Sequence, residues 1–286
     1  MSNNIFFKGS CDIDAICCYI KFGKLYIKEC SVKTDEHNAI YYTGHSVILN
    51  DIASNYLPPK NKFVDYDMYK TELFKRTCNL VVFSLLAESV IGVYENKKSK
   101  QRIVYGEAKC DATKDYDKYI SGERYFGFKE ITKDDYLEFA KEWKFIGRTP
   151  TIDVVNNFKN VINRLGDKTK VCFILGPTIH DELKEMNQSA ADADKYFKEL
   201  NKLLVNEFKD KNNISFISPD KMLKKHRFGE YFYYSFQSVL HYKRYVYFYL
   251  AKQLKRVTKE NIKIKYIPYY KRKYKFLIKH ILHIHR

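Results

Sequence analysis

Long apolar runs, metal-type cysteine clusters and a leader-like start are all missing from this sequence, and each absence excludes a class. No stretch approaches the roughly 20 uninterrupted apolar residues that a bilayer-spanning helix needs. There is no Cys-x-x-Cys, and no His/Cys cluster has zinc spacing, so no metal is expected. The start, Met1-Ser2-Asn3-Asn4, lacks a basic region followed by an apolar one, so no secretory leader is expected. Seven cysteines, at 11, 17, 18, 30, 78, 110 and 172, are an odd number that fits reduced thiols. Together these point to a cytoplasmic protein, at most peripheral at the inner face of a membrane. Proline is scarce, at 6 of 286 residues, whereas Tyr (25), Phe (20) and Lys abound. That bias follows AT-rich coding, so single tyrosines carry little functional weight. No internal repeat is present.

Acidic residues are scarcest near the end of the sequence. Residues 255–286 hold eleven Lys/Arg and one acid, a net of +10 out of the chain's +17, which leaves +7 for the other 254 residues. The charge is therefore local and implies a local anionic partner more than a nucleic-acid footprint. Within 269–286, Phe276, Leu277, Ile281, Leu282 and Ile284 can share much of one helix face, with Lys and His opposite. Such a basic amphipathic segment fits an anionic membrane surface or a partner enzyme. A nucleic-acid arm is the less favoured alternative.

The body, 1–268, reads as one α/β domain. Continuous apolar runs at Ile5-Phe6-Phe7, Asn79–Leu86, Val171–Leu175 and Ile214–Ile217 have strand length and suit parallel strands covered on both faces. Helical spacing predicts helices over 12–20, 151–165, 192–208 and 241–254, with Gly166 as a stop signal. Residues 95–125 are polar and predict loops or a hairpin insertion. Ile262, Ile264 and Tyr266 alternate with Lys and predict an edge strand. Strands separated by helices imply a three-layer, mostly parallel sheet with helices on both faces.

Ligands of such sheets bind beyond the C-terminal ends of the strands. Gly9-Ser10-Cys11-Asp12 falls there, after the first strand and at the start of a helix. Backbone N–H groups and the helix dipole at that place favour a lowered thiol pKa and an oxyanion. An ordinary turn with a small buried Cys fits the same residues. His241, at the start of a late helix, could act as a base toward that turn, or simply lie at the surface. Glu88 follows an apolar run and fits either a substrate contact or a salt bridge. His180, after Gly176-Pro177, is a further candidate at the site's edge.

Gly9-Ser10-Cys11 near the start and Ser238-Val239-Leu240-His241 near the end resemble the Gly-Asp-Ser and Asp-x-x-His elements of SGNH/GDSL-type hydrolases. Val81–Gly92, His226-Arg227-Phe228-Gly229 and Leu240-His241-Tyr242 resemble segments of a divergent branch associated with bacterial surface polysaccharide (capsule) biosynthesis. The resemblance spans roughly residues 5–255. It implies an SGNH-like esterase or acyltransferase acting on a sugar or lipid-linked glycan, with acyl-CoA as a donor if the reaction is transfer. It implies Cys11 as nucleophile with Ser10 in reserve, His241 as base, and Gly9, Ser46, Ser84, Glu88 and His180 around the substrate. Ser238 stands where the family has its triad Asp, and the family's oxyanion Asn has no counterpart, since Asn79 precedes its strand. Asp220 or Glu230 could replace the acid. Backbone near Gly44-His45-Ser46, or the Ser84 side chain, could replace the Asn. A Cys–His dyad works without a third member, because a thiolate needs less activation than an alkoxide. A scaffold or binding protein of glycan assembly that kept the fold and lost the chemistry is the alternative.

Overall fold

The structure, a computed structural model, describes residues 4–21, 26–30, 33–34, 40–41, 45–58, 60–121, 131–178, 188–223, 232–233, 241–242, 244–260 and 262–265. The basic segment 269–286 lies outside them. Five strands form one parallel sheet: β1 (Ile5–Gly9), β2 (Tyr26–Cys30), β3 (Leu80–Ser84), β7 (Lys170–Ile174) and β8 (Ile214–Ile217). Strands β4 to β6 belong to a separate sheet described below. The order across the parallel sheet is β8-β7-β3-β1-β2, so in chain order its strands lie 2-1-3-4-5.

The apolar runs make these strands because both faces of the sheet are covered. Phe6, Val81, Phe83, Val171 and Phe173 point to one face, where they meet α2 (His45–Ala53), α4 (Thr151–Leu165) and α5 (Gln188–Phe208). Ile5, Phe7, Leu80, Val82, Cys172 and Ile174 point to the other face, toward α1 (Cys11–Cys17) and α6 (Arg244–Thr258). Phe6, Phe7, Phe83 and Phe173 are fully buried, each stabilising the fold by roughly 1.5–3 kcal/mol relative to exposure. Right-handed crossovers account for the layering. The step from β1 to β2 runs one way along the sheet and puts α1 on one face. The steps toward β3, β7 and β8 run the other way and put α2, α4 and α5 on the opposite face.

Most predicted elements are present, with shifted ends. Helix α4 spans 151–165, and Gly166 stops it with φ +77° and open space where a Cβ would sit, so the backbone alone requires glycine there. The first helix ends at Cys17 rather than at residue 20, because Ile20 leaves it to pair antiparallel with Ile264. That bridge makes Lys263–Ile264 a two-residue strand apart from the parallel sheet, where an edge strand over 262–266 was expected, and Tyr266 lies outside the described residues. The last helix begins at Arg244, because His241–Tyr242 pairs as extended chain with Phe232–Tyr233. Its buried stripe is Val246, Tyr247, Leu250, Ala251 and Leu254, with Tyr245 and Tyr249 only partly buried.

The polar region after β3 is larger than a hairpin. Strands β4 (Ile91–Asn96), β5 (Arg102–Glu107) and β6 (Trp143–Gly147) make an antiparallel sheet in the order β5-β4-β6, with α3 (Lys133–Glu142) beside it. A capping box between Thr132 and Asp135 starts α3. The core of this insertion is aromatic and takes in Phe63 from before β3: Phe63 stacks on Phe139 at 4.0 Å between centroids, and the Tyr105 and Tyr136 hydroxyls lie 2.6 Å apart. Among the described residues no helix is long and apolar enough to cross a membrane.

Candidate active site

In an open α/β sheet the chain diverges to opposite faces at one pair of neighbouring strands, and a crevice opens beyond their C-terminal ends. Here that pair is β1 and β3, so the crevice lies between Gly9-Ser10 and Ser84-Leu85. Gly9 allows the close approach. A Cβ there would stand 2.1 Å from Ile13 Cγ1 and 3.0 Å from Ser84 Cβ.

Asp12 bridges these two segments. It is 1% exposed, and its carboxyl accepts a hydrogen bond from Ser10 Oγ at 2.8 Å on one oxygen and from Ser84 Oγ on the other. Ser84 Oγ accepts in turn from the Leu86 N–H at 3.2 Å. Burial pushes the Asp12 pKa up, against the two hydroxyl bonds, which pull it down. Of the two nucleophile candidates, Ser10 is buried and donates its proton to Asp12, whereas Cys11 is half-buried. The Cys11 thiol is pushed up to about 12, first by burial and then by the Asp12 charge. The Ser10 hydroxyl and the backbone N–H groups of Cys11 and Asp12 act in the lowering direction and are outweighed. This reverses the expectation of a lowered thiol pKa. Helix α1 has only seven residues and carries Asp12 and Asp14 in its first turn, so its N-terminus is a weak anion stabiliser.

The ends of the other strands close the same edge. After β7, Thr178 donates its N–H at 3.0 Å and its hydroxyl to the Asp220 carboxyl, which follows β8. Asp220 is thus engaged with Thr178, and Glu230 lies outside the described residues. Gly176 packs against the Phe197 ring, which a Cβ would meet at 1.9 Å. Tyr242 is buried, and its phenol pKa is raised by burial first, then by the charges of Asp12, Tyr247 and Asp220. His241, the residue before Tyr242, pairs through its backbone with Tyr233.

Ser46 and Glu88 form a separate constellation. Glu88 is 2% exposed, in a turn after β3. Its Oε1 accepts the N–H groups of His45 and Ser46, both at 3.0 Å, and its Oε2 accepts Ser46 Oγ at 2.9 Å. The carboxyl thus binds the start of α2, no Lys or Arg pairs with it among the described residues, and burial raises its pKa against those bonds. The His45 and Ser46 N–H groups, once candidates for an oxyanion, are already donated to Glu88. The Ser84 hydroxyl is likewise given to Asp12. Asn79 sits at the opposite, N-terminal end of β3, where its Oδ1 accepts the Asn4 N–H at 3.3 Å.

His180 and Gly44 lie outside the described residues. Asp12 is the residue that reasoning from sequence passed over, read there only as part of the turn. Its signal was present: Asp12 and Ile16 are i and i+4 on α1, so the acid shares a face with a buried Ile. No family model matches the chain, and no curated protein is similar to it.

Proposed function

We propose that this chain is an acyl-transfer enzyme of SGNH-like fold, an esterase or acyltransferase acting on a sugar of a bacterial surface polysaccharide. The single observation that supports it best is the place of Gly9-Ser10-Cys11-Asp12. The turn lies at the switch point of a 2-1-3-4-5 parallel sheet, with Cys11 as its half-buried nucleophilic side chain.

In this reading Cys11 Sγ passes its proton to His241 and attacks the acyl carbonyl. The tetrahedral adduct collapses to a thioester on Cys11, and the departing alcohol, or thiol of an acyl-CoA, takes the proton from His241. Water or a sugar hydroxyl then gives a proton to His241 and attacks the thioester. The product acid or new ester leaves as the Cys11 sulfur departs and takes the proton back from His241, which regenerates thiol and base. The basic segment 269–286 would hold the enzyme on an anionic membrane, where lipid-linked glycans are assembled. Salt-sensitive co-sedimentation with anionic vesicles, lost on deleting 269–286, tests that part.

The test of the chemistry is turnover of p-nitrophenyl acetate by the full chain and by Cys11→Ala and His241→Ala. Loss in both supports the reading, and unchanged rates in both overturn it. A binding protein that kept the fold is the second reading, favoured by the raised Cys11 thiol. It predicts no turnover and iodoacetamide labelling of Cys11 no faster than that of Cys18, an exposed thiol.

A further inference from the structure

The family pattern asks for an acid beside the histidine, and Ser238 stands at that place. A buried acid is nevertheless present at the crevice, on the nucleophile's side. Asp12 receives one hydrogen bond from each wall: Ser10 Oγ from the turn after β1, and Ser84 Oγ from the end of β3, 72 residues further along the chain. These two walls belong to the strands between which the sheet diverges. The β1 and β3 backbones pair in register from Ile5↔Leu80 to Lys8↔Phe83, and that ladder stops short of Gly9. Beyond Lys8 the side-chain bridge through Asp12 continues the connection between the two strands. Ser84 passes it on by accepting the Leu86 N–H.

We propose that Asp12 is the positioning residue of this site, clamping the Cys11 turn to the end of the neighbouring strand so that the thiol is held in one place relative to the crevice. The inference rests on the acyl-transfer reading for its meaning in turnover, but the clamp itself has an independent readout. Asp12 is adjacent to Cys11 in sequence, and its negative charge disfavours the thiolate. Removing the charge while keeping the side-chain shape therefore has two opposite consequences. The thiolate becomes more populated, and the turn that aims it is loosened, because an amide cannot accept on both arms.

The experiment uses the full chain with Asp12→Asn and Ser84→Ala, each checked for a native melting transition. The rate of iodoacetamide labelling of Cys11 is read by mass spectrometry from pH 7 to 10, and kcat and KM are read with p-nitrophenyl acetate. In Asp12→Asn, labelling at fixed pH should rise, about tenfold for each unit by which the thiol pKa falls. In the same variant kcat should fall, on the order of 10²-fold for a displacement near 1 Å, with KM little changed. Ser84→Ala keeps the charge and removes one arm. It should lower kcat without raising labelling, and the double variant should be no slower than Asp12→Asn alone, since both act on one clamp. A merely structural Asp12 would move labelling and kcat together, or neither.

Unchanged kcat in both variants, or fully additive losses, overturns the clamp. If the unaltered chain turns over no ester, the acyl-transfer reading fails by itself. Amide hydrogen exchange of residues 10–13 then decides the clamp: faster exchange in both Asp12→Asn and Ser84→Ala sustains it, and exchange identical in all three proteins overturns it. Should Asp12→Asn not fold, Ser84→Ala alone decides, by kcat or, without turnover, by hydrogen exchange of the same segment.

Discussion

Asp12 and Glu88 are two buried carboxyl groups just past the ends of neighbouring strands, and they are held in different ways. Glu88 takes two backbone N–H groups and one hydroxyl, all from the first turn of α2. Asp12 takes two hydroxyls, from two separate segments, beside a half-buried thiol. Backbone donors are fixed once a helix forms, so Glu88 has one geometry and serves the architecture. Hydroxyls rotate, so the bonds to Asp12 can rearrange when something enters the crevice. Two acids of similar burial can thus be sorted by what donates to them.

If that sorting is right, substitutions near Asp12 should cost turnover, and those near Glu88 should cost stability. The largest effect is expected at Cys11. Cys11→Ala should lower ester turnover by about 10³-fold or more while leaving the thermal midpoint nearly unchanged. Next is Glu88→Ala, which leaves two buried N–H groups and a hydroxyl without their acceptor. Urea unfolding should show a loss of about 3 kcal/mol, and Glu88→Gln, which keeps one accepting oxygen, should lose clearly less. Equal losses for the two would show that the charge, and not the accepting oxygen, is what α2 requires.

Glycines sharpen the contrast at smaller scale. Gly9→Ala drives a Cβ into Ile13 and against Ser84, and overpacking of that kind costs about 1–3 kcal/mol. Because it pushes on the crevice itself, it should also lower turnover. Gly166→Ala meets no atom within 4 Å and suffers only from its positive φ, so about 1 kcal/mol and no change in turnover are expected.

A third carboxyl carries the comparison into pH. Asp51 on α2 lies beside the Tyr69 hydroxyl, which donates to it at 3.4 Å, and burial raises its pKa from 3.8 to about 7. A raised carboxyl favours folding below its unfolded pKa, and that contribution is lost as pH climbs from about 4 through 7. Thermal midpoints of Asp51→Asn should therefore exceed those of the unaltered chain at pH 8 and converge with them near pH 4. A difference that grows toward acid pH would contradict the assignment.

Much of the parallel sheet was legible in the sequence, because strands buried on both faces must be apolar throughout. Ile5–Phe7, Leu80–Phe83 and Val171–Ile174 announce themselves in this way. Strand β2, Tyr26-Ile27-Lys28-Glu29-Cys30, was not legible. It lies at the sheet's edge and carries Lys28 and Glu29, and Glu29 is there to pair with Lys8 at 2.8 Å across the ladder. The insertion was half legible. Its core uses Tyr94, Tyr105, Tyr119, Tyr136 and Phe139 in a chain where aromatics are everywhere, so their spacing carried little signal. At the site, the turn after β1 could be placed from sequence, since a glycine after a buried strand has few other uses. The partners of Asp12 and Glu88 could not, because Ser84 and His45-Ser46 come from distant segments that only the topology brings near.

Helix α2 has a consequence of its own. Leu49 and Ala53 face the core of the parallel sheet, Ile48 faces the aromatic core of the insertion, and Glu88 holds the first turn. It is a beam shared by two rooms, bolted at one end to the segment that runs back through Leu86 and Ser84 to Asp12. A tilt of the insertion would strain one of the two cores or the Glu88 contact, so the load of either core is felt along one helix.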